Sequence, residues 1–248
     1  GAVAKTYYPK VAGIDVKDIV TVSVMPCTAK KFEAARPELG RDGRPDVDIV
    51  LTTRELIKLI KYVGLSFGQL PETEFDSPLG TASGAGAIFG TTGGVMEAAL
   101  RTVCDKLTGK TLEHLDFQEA RGLIGIQECT LELGGLTLHI AIPHTLTNAE
   151  ILMEQVRKGI SPYDFIEVMA CPGGCIGGGG QPIGTTNAVK KKRMQALYEI
   201  DRSLPVRKSH ENPELQVLYR DFLGEPGEGK AHELLHTGYR AVPKTYHF

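Results

Sequence analysis

The chain has 248 residues, of which 42% are hydrophobic and 23% are charged, and its formal net charge is −2. These proportions are typical of a soluble globular protein, and the length allows one large domain or two small ones. A nearly balanced charge excludes the broad basic face that nucleic-acid binding requires. No apolar run reaches the ~18 residues of a membrane span, and the first ten residues show no signal-peptide pattern.

Cysteine and glycine are the unusual parts of the composition. Cysteine occurs five times, and an odd number without a secretory signal predicts a reducing compartment with metal-bound or free thiols rather than disulfides. Glycine occurs 29 times, and much of it is clustered. The cysteines are Cys27, Cys104, Cys129, Cys171 and Cys175.

The first elements in chain order are a helix end, a strand and a helix. Residues 1–8 are typical of the end of an amphipathic helix, and no capping residue precedes them. Residues 19–25 are rich in β-branched side chains and predict a buried strand that leads directly into Pro26 and Cys27. A polar helix is predicted over residues 29–35.

A second strand, over residues 47–51, leads into a second helix. Thr52 and Glu55 have the spacing of a capping box at the start of this helix. Apolar residues follow at helical spacing, and Gly64 ends the helix. Alternating strands and helices are typical of a parallel sheet.

The middle of the chain predicts a helix and a hairpin. A long polar stretch and the glycine-rich segment 83–94 precede a helix over residues 95–107. Residues 126–133 and 136–142 alternate with period two around Gly134 and Gly135, which is a strong hairpin signal.

The remaining elements lead to a second cysteine-bearing strand and a helical tail. Thr147 and Glu150 predict the cap of a helix that extends to about residue 158. A strand over residues 165–170 ends at Cys171. Tail helices are predicted around 190–200 and 213–223, and we expect the tail to wrap the outside of the α/β body.

The two strands that end in cysteine predict a metal site. Ligands bind at the carboxyl ends of strands in open α/β sheets, and both Cys27 and Cys171 occupy such ends. Cys175 follows, within the glycine-rich sequence CPGGCIGGGGQP. Glycines allow the backbone to fold closely around a bulky group and to direct N–H groups at its sulfur atoms. Three converging thiolates therefore favour an iron–sulfur cluster.

Two other interpretations of the cysteines remain. A closed zinc site usually has two paired ligand motifs, and here the second pair is missing. Cysteine is also often a small buried core residue. For Cys104, within a helix, and Cys129, within a hairpin strand, that core role is the prediction.

Two long segments carry a resemblance to a known family. Residues 25–33, MPCTAKKFE, resemble the second signature of the FeFe hydrogenases, and residues 165–182, FIEVMACPGGCIGGGGQP, resemble the third. The segments between them are also similar to the family, and the tail resembles its small subunit. The resemblance implies a large-subunit-like H-cluster domain over 1–185 and a small-subunit-like helical tail over 186–248. The implied α/β fold has two lobes of mixed or parallel sheet, flanked by helices, with the metal site between them.

The resemblance also implies a cofactor and its ligands. The family carries an H-cluster, in which a 4Fe–4S cube is linked through one thiolate to a two-iron unit. Cys27 and Cys171 match ligands of the cube, and Cys175 matches the ligand that bridges to the two-iron unit. Lys30 matches a lysine that holds a cyanide ligand, which suits an ammonium donor, and Glu33 is a candidate support for it. The residues implied to line the cofactor are Met25, Pro26, Phe89 and Met169.

The implied activity is the reversible oxidation of H2 to protons and electrons, with Lys30 and Cys175 as catalytic residues. The implied partners are H2, protons and a ferredoxin- or NAD(H)-linked electron-transfer subunit, in the cytoplasm. The family's first signature, which supplies a fourth cube ligand, is absent, and the chain contains no tryptophan. We therefore expect that the chain needs a missing N-terminal segment and is inactive alone.

Two rival functions remain open. An iron–sulfur protein of cluster assembly or sensing would keep the cysteines, but it would not need Lys30 or the methionines. Residues 232–236, HELLH, fit a zinc peptidase motif with two histidines on one helix face. That motif lacks a convincing third ligand, because Val242 stands at the position of the third histidine in the extended motif.

Overall fold

The computed structural model describes residues 1–109, 125–133 and 135–240. The chain forms two compact units. The first unit comprises residues 1–23, 29–51 and 217–248, and the second comprises 24–28 and 52–216. In the described residues no helix has both the length and the apolar character needed to cross a membrane.

The first unit begins with two short helices, α1 (Ala2–Thr6) and α2 (Tyr8–Ala12). Strand β1 (Val22–Met25) follows, and its last residues belong to the second unit. Helix α3 (Ala29–Ala34) confirms the predicted polar helix. The short strands β2 (Gly40–Arg41) and β3 (Arg44–Pro45) form an antiparallel hairpin.

Strand β4 (Ile49–Thr52) pairs with β1 in a two-stranded sheet. Its last residue starts helix α4 (Thr53–Tyr62). The predicted capping box is confirmed, because Thr52 accepts from the N–H of Glu55 and the Glu55 carboxylate accepts from the N–H of Thr52. Such a cap stabilises a helix by roughly 1 kcal/mol.

The core of the second unit forms between a helix and a small sheet. Helix α5 (Gly84–Ile88) precedes α6 (Gly94–Thr108), which lies within one residue of the predicted helix. Strands β5 (Ile126–Leu133) and β6 (Leu136–Pro143) form the predicted antiparallel hairpin. The side chains that pack α6 against this hairpin are Met96, Leu100, Cys104, Ile140 and Ile142.

Helix α7 (Leu146–Arg157) corrects one prediction, because it begins before Thr147. The residue at its cap position is Thr145, which makes no side-chain capping hydrogen bond. Thr147 and Glu150 are therefore inside the helix and do not cap it. The local spacing matched a capping box, but the turn between β6 and α7 starts the helix earlier.

Strand β7 (Phe165–Ile166) is shorter than the predicted strand over 165–170. It pairs parallel to β6, and an isolated parallel bridge joins His144 to Met169 farther along. The side chain of Glu167, between these two pairings, turns into the protein and binds the start of α6. The backbone pairing continues through this point, because the N–H of Glu167 donates to the carbonyl of Ala141 at 3.0 Å and the bridge at Met169 keeps the register of β7.

The tail contributes helix α8 (Asn187–Ser203) to the second unit. Tyr198 of α8 packs against α5 and α6, so this helix belongs to the core rather than to an outer wrap. Helix α9 (Pro213–Leu218) begins at the predicted start of the second tail helix, and the Asn212 side chain accepts from two of its N–H groups. The last described helix is α10 (Gly229–Leu235).

Candidate metal centre

The three predicted ligand cysteines all belong to the second unit. Cys27 follows the end of β1, Cys171 comes two residues after the bridge at Met169, and Cys175 begins a 3-10 turn. All three are partly buried, and none forms a disulfide. Thiolates in such positions are suitable ligands for iron, provided that the backbone brings them together.

A glycine run brings the Cys175 segment against the Cys27 segment. The N–H of Gly180 donates to the carbonyl of Pro26 at 3.1 Å. A Cβ atom on Gly178 would lie 2.0 Å from the Pro26 carbonyl oxygen, and one on Gly180 would lie 2.9 Å from the amide nitrogen of Cys27. Any side chain at these positions would force the two backbones apart, which explains why the run consists of glycine.

The segment between Cys171 and Cys175 lies on the glycine-rich segment 90–94. The N–H of Thr92 donates to the carbonyl of Gly173 at 3.2 Å, and the N–H of Ile176 donates to the carbonyl of Gly90 at 3.0 Å. Gly174 has a φ of 85° and would place a Cβ only 2.7 Å from the Thr92 amide nitrogen. The second glycine cluster of the sequence is therefore the support for the cysteine loop.

Glu167 anchors this support. No sequence motif predicted that role. Only 6% of the residue is exposed. Its carboxylate accepts from the N–H of Gly93 at 2.8 Å and from the N–H of Met96 at 2.6 Å, at the positive end of α6. Burial raises the pKa of Glu167, and the two backbone N–H groups act in the opposite direction. An acidic residue within the apolar run FIEVMA was the available signal.

His144 is a second buried polar residue that the sequence analysis missed. Its Nδ1 accepts from the N–H of Gly173 at 3.3 Å and lies 3.5 Å from the hydroxyl of Thr92. Burial lowers the pKa of His144, and the charge of Lys190 lowers it further. A histidine at the end of a hairpin strand gives no local sign of these contacts.

The residues expected to line the cofactor are close in sequence to these segments. Met25 and Pro26 lie directly before Cys27, and Met169 pairs with His144. Phe89 follows α5, and 46% of it is exposed, so it is not part of a packed core. Their contacts with a cofactor stay predictions.

Lys30 lies on α3 of the first unit. Its Nζ is 2.6 Å from the Glu33 carboxylate, so the expected support by Glu33 is present. Both side chains are 41% exposed, and such a pair contributes little to stability. The Glu33 carboxylate therefore lies beside the Lys30 ammonium without contributing much to the free energy of unfolding.

The other two cysteines occupy the core positions expected for them. Cys104 is fully buried between α6 and the hairpin, where burial raises the pKa of its thiol. Cys129 lies on β5 opposite Ile140 and packs against the same cluster.

Two further groups in the described ranges resemble metal sites. Asp105, His210 and Glu211 converge, but the Lys208 ammonium already binds both carboxylates and occupies the position between them. The Nδ1 atoms of His232 and His236 are 2.8 Å apart, as expected for the HELLH helix. No third ligand joins these two histidines within the part of the chain that the structure describes.

Comparison with known proteins identifies the family. Residues 1–179 match the family model for the iron only hydrogenase large subunit, C-terminal domain. The chain belongs to the iron-only hydrogenase family. A second model, for the iron hydrogenase small subunit, matches residues 187–242 of this hydrogenase-family chain.

The relatives include both hydrogenases and a protein with a different role. NADP-reducing hydrogenase subunit HndD of Solidesulfovibrio fructosivorans is 52% identical over 240 residues, covering 96% of this chain and 41% of that protein. The cytosolic Fe-S cluster assembly factor narfl of Xenopus tropicalis is 32% identical over 250 residues, covering 98% of this chain and 52% of that protein. The chain thus spans about half of these relatives' length or less.

A solved hydrogenase structure confirms the predicted class of fold. A variant of the FeFe hydrogenase from Chlamydomonas reinhardtii superposes with a TM-score of 0.80 at 42% identity, covering 96% of this chain and 67% of that one. The mixed α/β fold, with small sheets flanked by helices, is therefore that of an iron-only hydrogenase domain. The predicted boundary between residues 185 and 186 stays a prediction.

Proposed function

We propose that this chain holds a 4Fe–4S cube through Cys27, Cys171 and Cys175, as part of the centre at which a hydrogenase interconverts H2 with protons and electrons. The glycine run that lies against Pro26 and Cys27 is the observation that carries this proposal. It brings two cysteine segments together by a backbone approach that no side chain permits. A core role for the cysteines would need no such approach.

The residues of the second unit fit an iron–sulfur cluster. The donor set consists of thiols, which iron–sulfur clusters prefer. The buried Nε2 of His144, beside the cysteine loop, has no hydrogen-bond partner among the described residues. A zinc site would use four closed ligands. Three thiols leave one corner of a cube to another ligand.

The remaining predicted residues have supporting roles in this proposal. Cys175 would bridge the cube to the two-iron unit, and Lys30, oriented by Glu33, would hold a cyanide ligand by a charge-assisted hydrogen bond. Met25 and Met169 would provide flexible apolar walls. When bound, the two-iron unit supplies the site at which H2 is formed or split. Pro26 and Phe89 would complete the walls.

The electron partner is proposed from the relatives. HndD is described as a subunit of an NADP-reducing hydrogenase, and this chain is 52% identical to it. We therefore propose that the chain works with a nicotinamide-linked electron-transfer subunit in the cytoplasm. A ferredoxin-linked partner is the alternative.

A role in cluster assembly is the second candidate function. It is favoured by the similarity to the assembly factor narfl. Lys30 with its Glu33 partner, together with the two methionines, favours the catalytic type, because cluster assembly has no need of a cyanide-binding cation. The chain is 52% identical to the hydrogenase subunit HndD and 32% identical to narfl, which also favours the catalytic type.

Iron and sulfide analysis tests the proposal. We expect about four irons per chain and a cube signal in the electron paramagnetic resonance (EPR) spectrum after anaerobic reconstitution with iron, sulfide and thiol. Cys171→Ala and Cys175→Ala should each abolish the signal. Cys129→Ala is the matched control and should keep it, because Cys129 packs in the hairpin cluster.

Two outcomes would contradict the proposal. A folded chain that takes up no iron would indicate that the cysteines have a structural role. Bound zinc that is lost in His232→Ala would instead support the peptidase function. H2-dependent dye reduction by the cofactor-loaded protein, with the family's first signature supplied, separates the catalytic type from an assembly factor, and we expect it to be absent in Cys175→Ser.

A further inference from the structure

His144 is placed by the sheet beside the cysteine loop. It follows β6 and forms a parallel bridge with Met169, two residues before Cys171. Paired residues of neighbouring strands direct their side chains to the same side of a sheet. The ring of His144 contacts the backbone of Gly173, which lies between Cys171 and Cys175.

The hydrogen bond from Gly173 determines where the proton of His144 lies. Its N–H donates to Nδ1, so Nδ1 is the acceptor of the ring. A neutral imidazole has one acceptor and one donor nitrogen, and the proton is therefore on Nε2. Burial and the nearby Lys190 both favour the neutral ring.

The resulting Nε2–H group has no acceptor in the described polypeptide. His144 is 1% exposed, and its Nε2 is among the buried atoms without a hydrogen-bond partner. Buried donors are nearly always paired. A buried water usually needs about three polar partners, and around this loop Nε2 is the only buried side-chain nitrogen or oxygen that the described part of the chain leaves unpaired.

We infer that His144 donates its Nε2–H to a sulfur of the iron–sulfur cluster, which is a sulfide or the thiolate of Cys171 or Cys175. This inference rests on the proposed function. Cluster sulfur accepts such bonds, and they stabilise the reduced, more negative cluster and so raise its reduction potential. His144 thereby links the second glycine cluster, through Thr92 and Gly173, to the electronic state of the cube.

Two substitutions test the acceptor role of Nδ1 and the donor role of Nε2 separately. In His144→Asn the amide oxygen can replace Nδ1 as acceptor for Gly173, but no donor reaches the position of Nε2. In His144→Gln the longer amide can place a donor near Nε2. His144→Phe keeps the ring shape and removes both functions. Circular dichroism and iron content establish that each variant folds and loads.

An EPR redox titration of the reconstituted chain is the deciding measurement. We expect a cube of lower midpoint potential in His144→Asn and His144→Phe, at unchanged iron content, and a potential close to that of the wild type in His144→Gln. Equal potentials in the wild type and His144→Asn would overturn the inference and leave the proposed function intact. Failure of the wild type to load would overturn both.

The tautomer of His144 can be measured in the chain without a bound cluster. In the iron-free chain labelled with 15N-histidine, the His144 resonances should show a protonated Nε2 and an unprotonated Nδ1. The opposite tautomer would overturn the inference, since Nε2 would then have no proton to donate. Loss of the labelled signal pattern in His144→Gln provides the assignment.

Discussion

At the scale of single residues, the candidate centre depends on the absence of side chains as much as on the cysteines. A Cβ added to Gly180 would meet three groups at once, from the backbone of Pro26 and Cys27 and from the side chain of Thr52. Its neighbour Gly179 faces only the side chain of Thr28. The two glycines look equivalent in the sequence GGGG, and the structure distinguishes them by what a methyl group would meet.

Gly180→Ala should destabilise the fold and prevent cluster loading. The added Cβ would lie 2.8 Å from the Pro26 carbonyl carbon and 2.9 Å from Thr52 Cβ, so backbone must move. We expect a loss of about 1–3 kcal/mol in the free energy of unfolding, which is typical of overpacking. Urea unfolding and iron per chain measure both effects.

Gly179→Ala is the matched control for this prediction. Its Cβ would be 3.3 Å from the Thr28 hydroxyl and 3.8 Å from the Thr28 methyl, which can rotate away. This variant should load iron as the wild type does. A comparable loss in both variants would contradict the role assigned to the Gly180 approach.

Lys30→Ala should change activity without changing stability. The ion pair of Lys30 with Glu33 is 41% exposed at both ends, and its removal should cost less than about 1 kcal/mol. We expect H2-dependent dye reduction by the cofactor-loaded hydrogenase to fall strongly. Lys31→Ala, at the neighbouring lysine, is the control. An equal loss in both variants would count against a specific cyanide contact.

At the scale of elements, a helix start is completed from a distant strand. Helix α6 begins after Gly93, whose cap position offers no side chain. The Glu167 carboxylate takes the place of a capping side chain, because it accepts from the N–H groups of Gly93 and Met96, which lie 74 and 71 residues earlier in the chain. Glu167 lies only four positions before Cys171. The start of α6 and the end of the cysteine-bearing strand are therefore held as one assembly.

Glu167→Gln should change how stability depends on pH. Burial raises the folded-state pKa of Glu167 above its usual 4.5. Because the folded state then binds the proton more tightly than the unfolded state, the protonated carboxyl group stabilises the fold. This contribution is complete below the unfolded-state pKa and is lost as the pH rises through the folded-state pKa. The free energy of unfolding of the wild type should therefore fall relative to Glu167→Gln as pH rises above about 4.5.

Urea unfolding of the iron-free chain at successive pH values measures this difference. Glu72→Gln, the same substitution at an exposed carboxylate, is the matched control. A difference between wild type and Glu167→Gln that does not change with pH would show that burial does not raise the pKa of Glu167.

At the scale of the whole molecule, a buried charge network joins parts of the chain that match two family models. Arg101 of α6 lies in the large-subunit match and Asp201 of α8 lies in the small-subunit match. Their bonds measure 2.8 and 2.9 Å, and Arg101 also binds Glu97 at 2.9 Å. All three residues are fully buried. Helix α8 of the tail is therefore an integral part of the second unit.

Arg101→Leu should destabilise the second unit by about 3–5 kcal/mol, because it removes a cation from the buried Glu97 carboxylate and leaves Asp201 with Arg207 alone. Urea unfolding of the complete chain measures the loss. Arg202→Leu, at an exposed arginine of α8, is the control and should have little effect. A loss below about 1 kcal/mol for Arg101→Leu would show that the network does not hold the tail.

Local elements and ligand types could be predicted from the amino-acid sequence. The capping box at Thr52, the hairpin around residues 134–135 and the start of α9 depend on neighbours within a few positions, so spacing was enough to predict them. The cysteine and glycine signatures determined the family in the same way. Residue chemistry and short spacing are fully visible in one chain.

Contacts between distant residues could not be predicted from the sequence. Glu167 reaches α6, His144 reaches Gly173, and Arg101 reaches Asp201, across 29 to 100 residues. Each pairing is decided by strand register and helix packing, which place groups that no local pattern connects. The cap predicted at Thr147 was wrong for the same reason, because the turn after β6 decides where α7 begins.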